Sequence, residues 1–115
     1  MNAPQKIDFS GITGVSCPCG TARRALTDAA EFPCSVHRTS INKTAKPHYH
    51  RRLTEVYYII SCGTDAEMVL GEERFPLHPD LLFYIPPGTV HYLEGEAEVL
   101  IVVSPKFDPE DEFFE

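Results

Sequence analysis

Short apolar runs, each closed by turn residues, follow one another along most of this 115-residue chain. The most strand-like run extends from Glu55 to Ser61, and apolar residues occupy both of its faces, as in a central strand of a two-layer fold. Further strands are predicted at 66–70, 73–77, 81–85, 91–94 and 99–103. Turns at Gly71-Glu72 and Gly95-Glu96 should join their flanking strands into hairpins. This succession predicts an all-β fold, a small antiparallel β-barrel or jelly roll.

The first part of the chain is less regular. Residues 1–14 predict a loosely structured arm that could add an edge strand or dock on a second subunit, and residues 16–20 predict a turn. Residues 21–30 leave helix and strand open, because their alanines, leucine and arginines suit a helix. A strand is predicted over 34–42, with a turn at 42–47, and neither face of this strand is plainly apolar.

The length suits one domain with its own hydrophobic core. We divide the chain into an N-terminal arm with the first strands (1–34), which could be exchanged within a dimer, a barrel (35–104) and an acidic tail (105–115). The tail is expected to be solvated, or to pack Phe113 and Phe114 on a neighbouring molecule. The exposed edges of so small a sheet favour a homodimer formed by edge pairing or arm exchange.

Composition and charge indicate which partners and which location to expect. Seventeen acidic and ten basic residues give a net charge of -7, so nucleic acid is not an expected partner. No apolar run reaches the ~18 residues of a membrane-spanning helix, so no membrane partner is expected either. The first residues show no basic segment followed by an apolar one, so we predict no signal peptide and a cytoplasmic location.

The four cysteines, Cys17, Cys19, Cys34 and Cys62, are expected to be free thiols in that compartment. Cys17 and Cys19 flank Pro18 and are too close for an easy mutual disulfide. The alternative is a second zinc site that includes this pair, although the chain lacks the second cysteine pair that such sites usually have.

Three of the five histidines and one glutamate form the main candidate site. His48 and His50 are two residues apart, so in a strand they point to the same face and can aim at one point. Glu55 opens the next strand beside them, and His91 follows the turn at Pro86–Gly88 to open another. An inward carboxylate needs a countercharge, and three imidazoles with one carboxylate are a sufficient ligand set for a divalent transition metal.

Three further side chains could face the same space. If Glu55 points inward, so does Tyr57, whose hydroxyl could orient a substrate or simply be satisfied in the core. His37 could lie beside the metal or be a hydrogen-bonded strand residue. No clear arginine clamp for a phosphate is visible, though Arg38 could face inward.

The site residues resemble the two sequence motifs of the cupin superfamily. The chain contains His48-x-His50-x4-Glu55 followed by Gly63, and later Pro86-x-Gly88-x2-His91. All four ligand positions of the motifs are kept. Asn42 and Asp80 stand where the motifs have glycine, and Gly95 stands where they have asparagine. Because Asn and Asp tolerate turn geometry, these departures are compatible with the fold.

This resemblance covers residues 35–104 and implies a cupin-like double-stranded β-helix, a strand near residues 22–27 and a homodimer. It also implies one divalent transition metal per chain. The ligands would be His48, His50, Glu55 and His91. The donor set suits Fe²⁺, Zn²⁺, Ni²⁺, Mn²⁺ or Cu²⁺, and Fe²⁺ is favoured together with the oxygenase hypothesis below.

The resemblance implies a small organic substrate and leaves the reaction open. We favour a dioxygenase-type oxidoreductase, because the apolar residues 56–60 and 83–84 suggest a cavity for an aromatic or medium-sized molecule. One alternative is a metal-dependent sugar or keto-acid isomerase, epimerase or decarboxylase, with Glu55, Tyr57 or His37 as the base that moves a proton. Another is a module that binds a small ligand without turning it over.

Overall fold

The computed structural model describes residues 3–42 and 44–115 and consists of two antiparallel β-sheets. The strands are β1 (Val15–Cys17), β2 (Gly20–Ala25), β3 (Ser35–Ile41), β4 (His48–Tyr49), β5 (Thr54–Cys62), β6 (Glu67–Leu70), β7 (Glu73–Pro76), β8 (Leu82–Ile85), β9 (His91–Glu94), β10 (Ala97–Ser104) and β11 (Phe113–Phe114). One 3-10 turn covers Phe9–Gly11. No helical segment of the described residues has the length and apolarity needed to cross a membrane.

The larger sheet has the strand order β1-β2-β3-β10-β5-β8, and the smaller sheet has the order β11-β4-β9-β6-β7. Burial alternates residue by residue along β3, β5 and β10, so each strand turns one face inward. Fully buried side chains from both sheets, including Ile59, Met68, Ile85, Val99 and Val103, fill the space between them. The predicted all-β barrel or jelly roll is therefore confirmed.

The predicted hairpin of the last two barrel strands is wrong. Strand β9 pairs with β4 and β6 in the smaller sheet, whereas β10 pairs with β3 and β5 in the larger sheet. The turn at Gly95 therefore carries the chain from one sheet to the other. Gly95 has a φ of 89°, and a Cβ atom there would lie 2.9 Å from the Cα of Ala66. The crossover needs glycine for both reasons.

The N-terminal part adds two strands to the larger sheet. The strand near residues 22–27 is confirmed as β2, which pairs with β3. Residues 16–20 are not only a turn, because β1 pairs with β2 and brings Cys17 opposite Gly20. Pro18 and Cys19 form the tip of this hairpin.

The prediction of a solvated acidic tail is wrong. Strand β11 pairs with β4, so that Phe113 lies opposite Tyr49, and their rings stack with centroids 5.6 Å apart. The guanidinium of Arg51 covers Phe113 at 4.1 Å from the ring centroid. The tail thus becomes the edge of the smaller sheet, next to the strand that carries His48.

Candidate metal centre

Four predicted ligands converge between the two sheets. His48 lies in β4 opposite His91 in β9, and His50 follows β4 directly. Glu55 lies near the start of β5, in the larger sheet. One donor atom from each of the four residues lies within 4.8 Å of the other three. The convergence predicted from the spacing is therefore present in the fold.

Glu55 lies between two of the imidazoles. Its Oε1 atom is 3.0 Å from Nε2 of His50 and 3.0 Å from Nε2 of His91. Burial alone would raise the pKa of Glu55, but these two neighbours outweigh it and lower this pKa to about 2. Burial alone would likewise lower the pKa of His50, but the Glu55 carboxylate outweighs it and raises this pKa to about 9. In the metal-free protein, protonated His50 therefore supplies the positive charge that the buried Glu55 carboxylate needs.

The three imidazoles share one hydrogen-bonding pattern. The Nδ1 atoms of His48, His50 and His91 lie 3.1, 2.5 and 2.9 Å from the backbone carbonyl oxygens of Lys46, Asp111 and Thr89. A carbonyl only accepts, so each Nδ1 carries a proton, and Nε2 is the ring nitrogen left to bind a metal. Nε2 of His50 is buried without a hydrogen-bond partner, despite its proximity to Glu55. A site of three such nitrogens and one carboxylate oxygen fits a divalent transition metal.

Asp111 organises the loop between His50 and Glu55. Its carboxylate accepts hydrogen bonds from the backbone N–H groups of Arg51, Arg52 and Leu53, at 2.9, 2.9 and 3.0 Å. Together with its carbonyl bond to His50, Asp111 therefore fixes both the loop and one ligand. The sequence analysis missed this residue, because it treated the tail as solvated.

The four residues lie at the wall of a cavity of about 330 Å³, a size suited to a small molecule. Apolar side chains supply most of the remaining wall: Ala22, Ile41, Met68, Leu93, Ile101 and Phe107. Tyr57 also lines the cavity, as predicted, and burial raises the pKa of its phenol well above the usual value. Phe83 is not part of the wall, and Tyr84 points outward with 63% exposure. The apolar cavity is therefore present, but other strands build most of it.

Comparison with known proteins assigns the family. The sequence profile described as "Cupin domain" matches residues 30–104. The chain is a cupin. No curated protein matches it in sequence. A protein from Planctomyces limnophilus of known crystal structure is 43% identical, with 97% of each chain covered and a TM-score of 0.94.

More distant solved structures share the fold of this cupin. Pac13 from Streptomyces, a nucleoside dehydratase solved with uridine, is 19% identical with a TM-score of 0.79 over 99% of this chain and 92% of that chain. Ectoine synthase from P. lautus is 17% identical with a TM-score of 0.78 over 97% of this chain and 90% of that chain. At this identity the likeness concerns the fold alone.

Of the other predicted residues, His37 lies outside the cavity of this cupin. Its Nε2 atom is 2.9 Å from Oγ of Ser35, and its ring meets Phe107 edge-on at 5.3 Å. Burial first, and then the charge of Arg24, lower the pKa of His37 to about 4. Of the two alternatives predicted for His37, its contacts match the hydrogen-bonded strand residue and not a place beside the metal.

Two charged side chains that the sequence analysis missed line the cavity. Glu112, in the tail, lies with its Oε1 atom 3.8 Å from Nε2 of His48, and burial raises its pKa. Arg24 lies on β2. The arginine that the sequence analysis considered, Arg38, instead forms an ion pair with Glu98 at 3.5 Å and does not line the cavity. Had the register of β2 been known, the alternation of its side chains would have predicted that Arg24 faces the cavity.

All four cysteines are free thiols. The Sγ atoms of Cys17 and Cys19 are 3.3 Å apart, and both residues line the cavity. The alternative of a second zinc site gains no support, since the only group of at least three candidate ligands within residues 3–42 and 44–115 is the cluster around Glu55.

Proposed function

We propose that this cupin is a metal-dependent enzyme that binds a small organic molecule in the cavity beside His48, His50, Glu55 and His91. The observation that carries this proposal is the shared anchoring of the three imidazoles, each of which is fixed through Nδ1 to a backbone carbonyl, while one donor atom of each lies within 4.8 Å of the others and of a Glu55 oxygen. A divalent cation held there would act as a Lewis acid or a redox centre for a molecule in the cavity.

We favour a proton-transfer reaction, such as elimination, isomerisation or decarboxylation. Glu112 and Tyr57 line the same cavity and are not among the four candidate ligands, so both can contact a bound substrate. The carboxyl group of Glu112 would accept or return a proton, and the hydroxyl of Tyr57 would orient an oxygen of the substrate. Two proteins of the same fold, a nucleoside dehydratase and ectoine synthase, carry names that do not indicate an oxygenase.

The oxygenase predicted from the sequence stays the second candidate. Four protein ligands would leave positions open on a six-coordinate metal, and the mainly apolar wall suits an aromatic molecule. With Fe²⁺ in the site, dioxygen could then react beside the substrate.

Metal content tests the site itself. We expect the purified protein to contain about one transition metal per chain by elemental analysis, and His50→Ala and His91→Ala to lose it. His78→Ala is the matched control, because the ring of His78 is exposed and bonds only to the carbonyl of Pro79. Unchanged metal content in both ligand variants would show that the assignment is wrong.

Two assays then separate the reaction classes. Keto acids and sugars incubated in D₂O with metal-loaded protein should gain deuterium next to the carbonyl if a proton is transferred, as NMR detects. Catechols, diketones and thiols should instead cause oxygen uptake by the ferrous protein if the oxygenase hypothesis holds. A compound that raises the melting temperature but is recovered unchanged in both assays would indicate a binding module.

The homodimer and the cytoplasmic location stay predictions. In support of a dimer, the outward face of the larger sheet carries a row of apolar side chains that a second subunit could cover. The row lies in register across four strands and consists of Val36, Val102, Val56 and Tyr84. Light scattering should give twice the chain mass of 12.9 kDa, and a monomer at that mass would contradict the dimer.

A further inference from the structure

Arg24 is a cation in the wall of the cavity. It lies on β2, which alternates its side chains, so Arg24 lines the cavity while its neighbour Arg23 does not. The Cζ atom of Arg24 lies 4.3 Å from the centroid of the Phe107 ring, another wall residue. This stacking restricts the plane of the guanidinium group and leaves its N–H edges free to donate.

No carboxylate neutralises Arg24 at close range. Arg38, Arg52 and Arg74 each form an ion pair with an acidic side chain, but within residues 3–42 and 44–115 no acidic oxygen lies within 4.0 Å of a nitrogen of Arg24. Its Nε atom is buried and has no hydrogen-bond partner there, which is also true of Nε of Arg23 and Arg38. Of these three arginines only Arg24 lines the cavity, and because an unpaired buried donor of a charged group is costly, its position in the wall favours an anionic ligand.

The rest of the wall limits which anion can bind. Among the residues 3–42 and 44–115 that line the cavity, Arg24 is the only Lys or Arg, whereas Glu55 and Glu112 are both acidic. A phosphate group, with more charge and three oxygens, is usually held by several donors or cations. A carboxylate needs one planar guanidinium group, which it meets with two parallel hydrogen bonds.

We propose that Arg24 binds the carboxylate of a small monocarboxylic acid, whose other polar group faces His48, His50, Glu55 and His91. This inference rests on the proposed function, because it names the substrate class of the same cavity. The apolar residues of the same wall would enclose the carbon skeleton of the acid and exclude water from it.

Matched pairs of probes test the proposal. Benzoate is compared with benzamide, and pyruvate with pyruvamide, since each amide keeps the shape of the acid and removes its charge. By calorimetry we expect wild-type protein to bind each acid at least about tenfold more tightly than its amide, in line with a charged hydrogen bond. Arg24→Gln should abolish this ratio, and Arg24→Lys should keep only part of it, because an ammonium group cannot form the paired bonds.

Arg23→Gln is the matched control. Arg23 lies on the same strand but does not line the cavity, so this substitution should leave the acid-to-amide ratio unchanged. A purely structural role for Arg24 would change melting temperature without changing the acid-to-amide ratio. The proposal is overturned if wild type does not prefer the acids, or if Arg24→Gln keeps the wild-type ratio.

The metal content of the same samples distinguishes this inference from the proposed function. If every sample contains the metal but no acid preference depends on Arg24, this inference fails and the metal centre stands. If wild type contains no metal and still shows an acid preference that Arg24→Gln removes, the proposed function fails and carboxylate recognition by Arg24 stands.

Discussion

The backbone carbonyl of Asp111 accepts a hydrogen bond from Nδ1 of His50 at 2.5 Å, so the C-terminal tail fixes a candidate metal ligand 61 residues earlier in the chain. The carboxylate of the same residue accepts three backbone N–H groups of the loop that follows His50. The metal centre is therefore built jointly by the barrel and by a tail that lies outside the two sequence motifs.

Replacing Asp111 by alanine should destabilise the protein and weaken metal binding. Loss of a carboxylate that satisfies three N–H groups should lower the free energy of unfolding by about 3–4 kcal/mol, as urea denaturation would measure. Loosening of the loop next to His50 should reduce metal affinity by roughly 10- to 100-fold. The carbonyl that binds His50 remains in this variant, so the effect reports on the side chain.

Asp108→Asn is the control for this experiment. Asp108 pairs with Arg52 at the surface, at 2.6 Å, and such exposed pairs contribute about 1 kcal/mol or less. Equal losses of stability in the two variants would contradict a special role for Asp111.

Metal affinity should rise with pH up to about 9. In the metal-free protein the pKa of His50 is raised to about 9, so below this pH a cation must displace its proton. With pKa values lowered to about 2 and about 4, Glu55 is ionised and His48 is neutral at neutral pH, so neither has a proton that the cation must displace. Affinity should therefore fall by up to about tenfold for each pH unit below 9, as one proton is displaced.

Calorimetry of metal binding in buffers of different ionisation enthalpy should show about one proton released per metal at pH 7.5. An affinity that stays constant between pH 7 and pH 9, with no proton released, would mean that His50 is neutral in the metal-free protein.

Gly95→Ala should cost more stability than Gly71→Ala. Both glycines have a positive φ, 89° and 60°, so alanine at either position is strained by about 1–2 kcal/mol. At Gly71 an added Cβ atom meets nothing within 4 Å, whereas at Gly95 it would lie 2.9 Å from the Cα of Ala66. We therefore expect about 3 kcal/mol or more for Gly95→Ala in urea denaturation. Similar costs in both variants would show that the crossover turn can relax.

The Cys17 thiol should react at unusually low pH. The hydrogen bond from the Cys19 thiol outweighs burial and lowers the pKa of Cys17 to about 6, while the same bond raises the pKa of Cys19. In a Cys34→Ser/Cys62→Ser background, alkylation by iodoacetamide followed by mass spectrometry should reach half its maximal rate at Cys17 near pH 6.

Cys19→Ala removes the donor and should move this midpoint towards that of an ordinary thiol. The same midpoint with and without Cys19 would contradict the thiol–thiol bond.

The sequence determined the all-β class, most strand positions and all four candidate ligands. Strand alternation and turn residues are local signals, so the convergence of His48, His50 and Glu55 could be predicted from their spacing alone. The same local signals could not show which strands pair. The turn at Gly95 looks like a hairpin turn in sequence, although it joins two different sheets.

Only the tertiary structure decided how the cavity is completed. The acidic composition of the tail predicts solvation, but the pairing of Phe113 with Tyr49 places Asp111 beside His50 and Glu112 in the cavity. The register of β2 turns Arg24 inward, whereas Arg38 on the next strand turns outward. Ligand spacing is encoded within one strand or turn, but contacts between segments far apart in the chain depend on register and strand order, which no local pattern specifies.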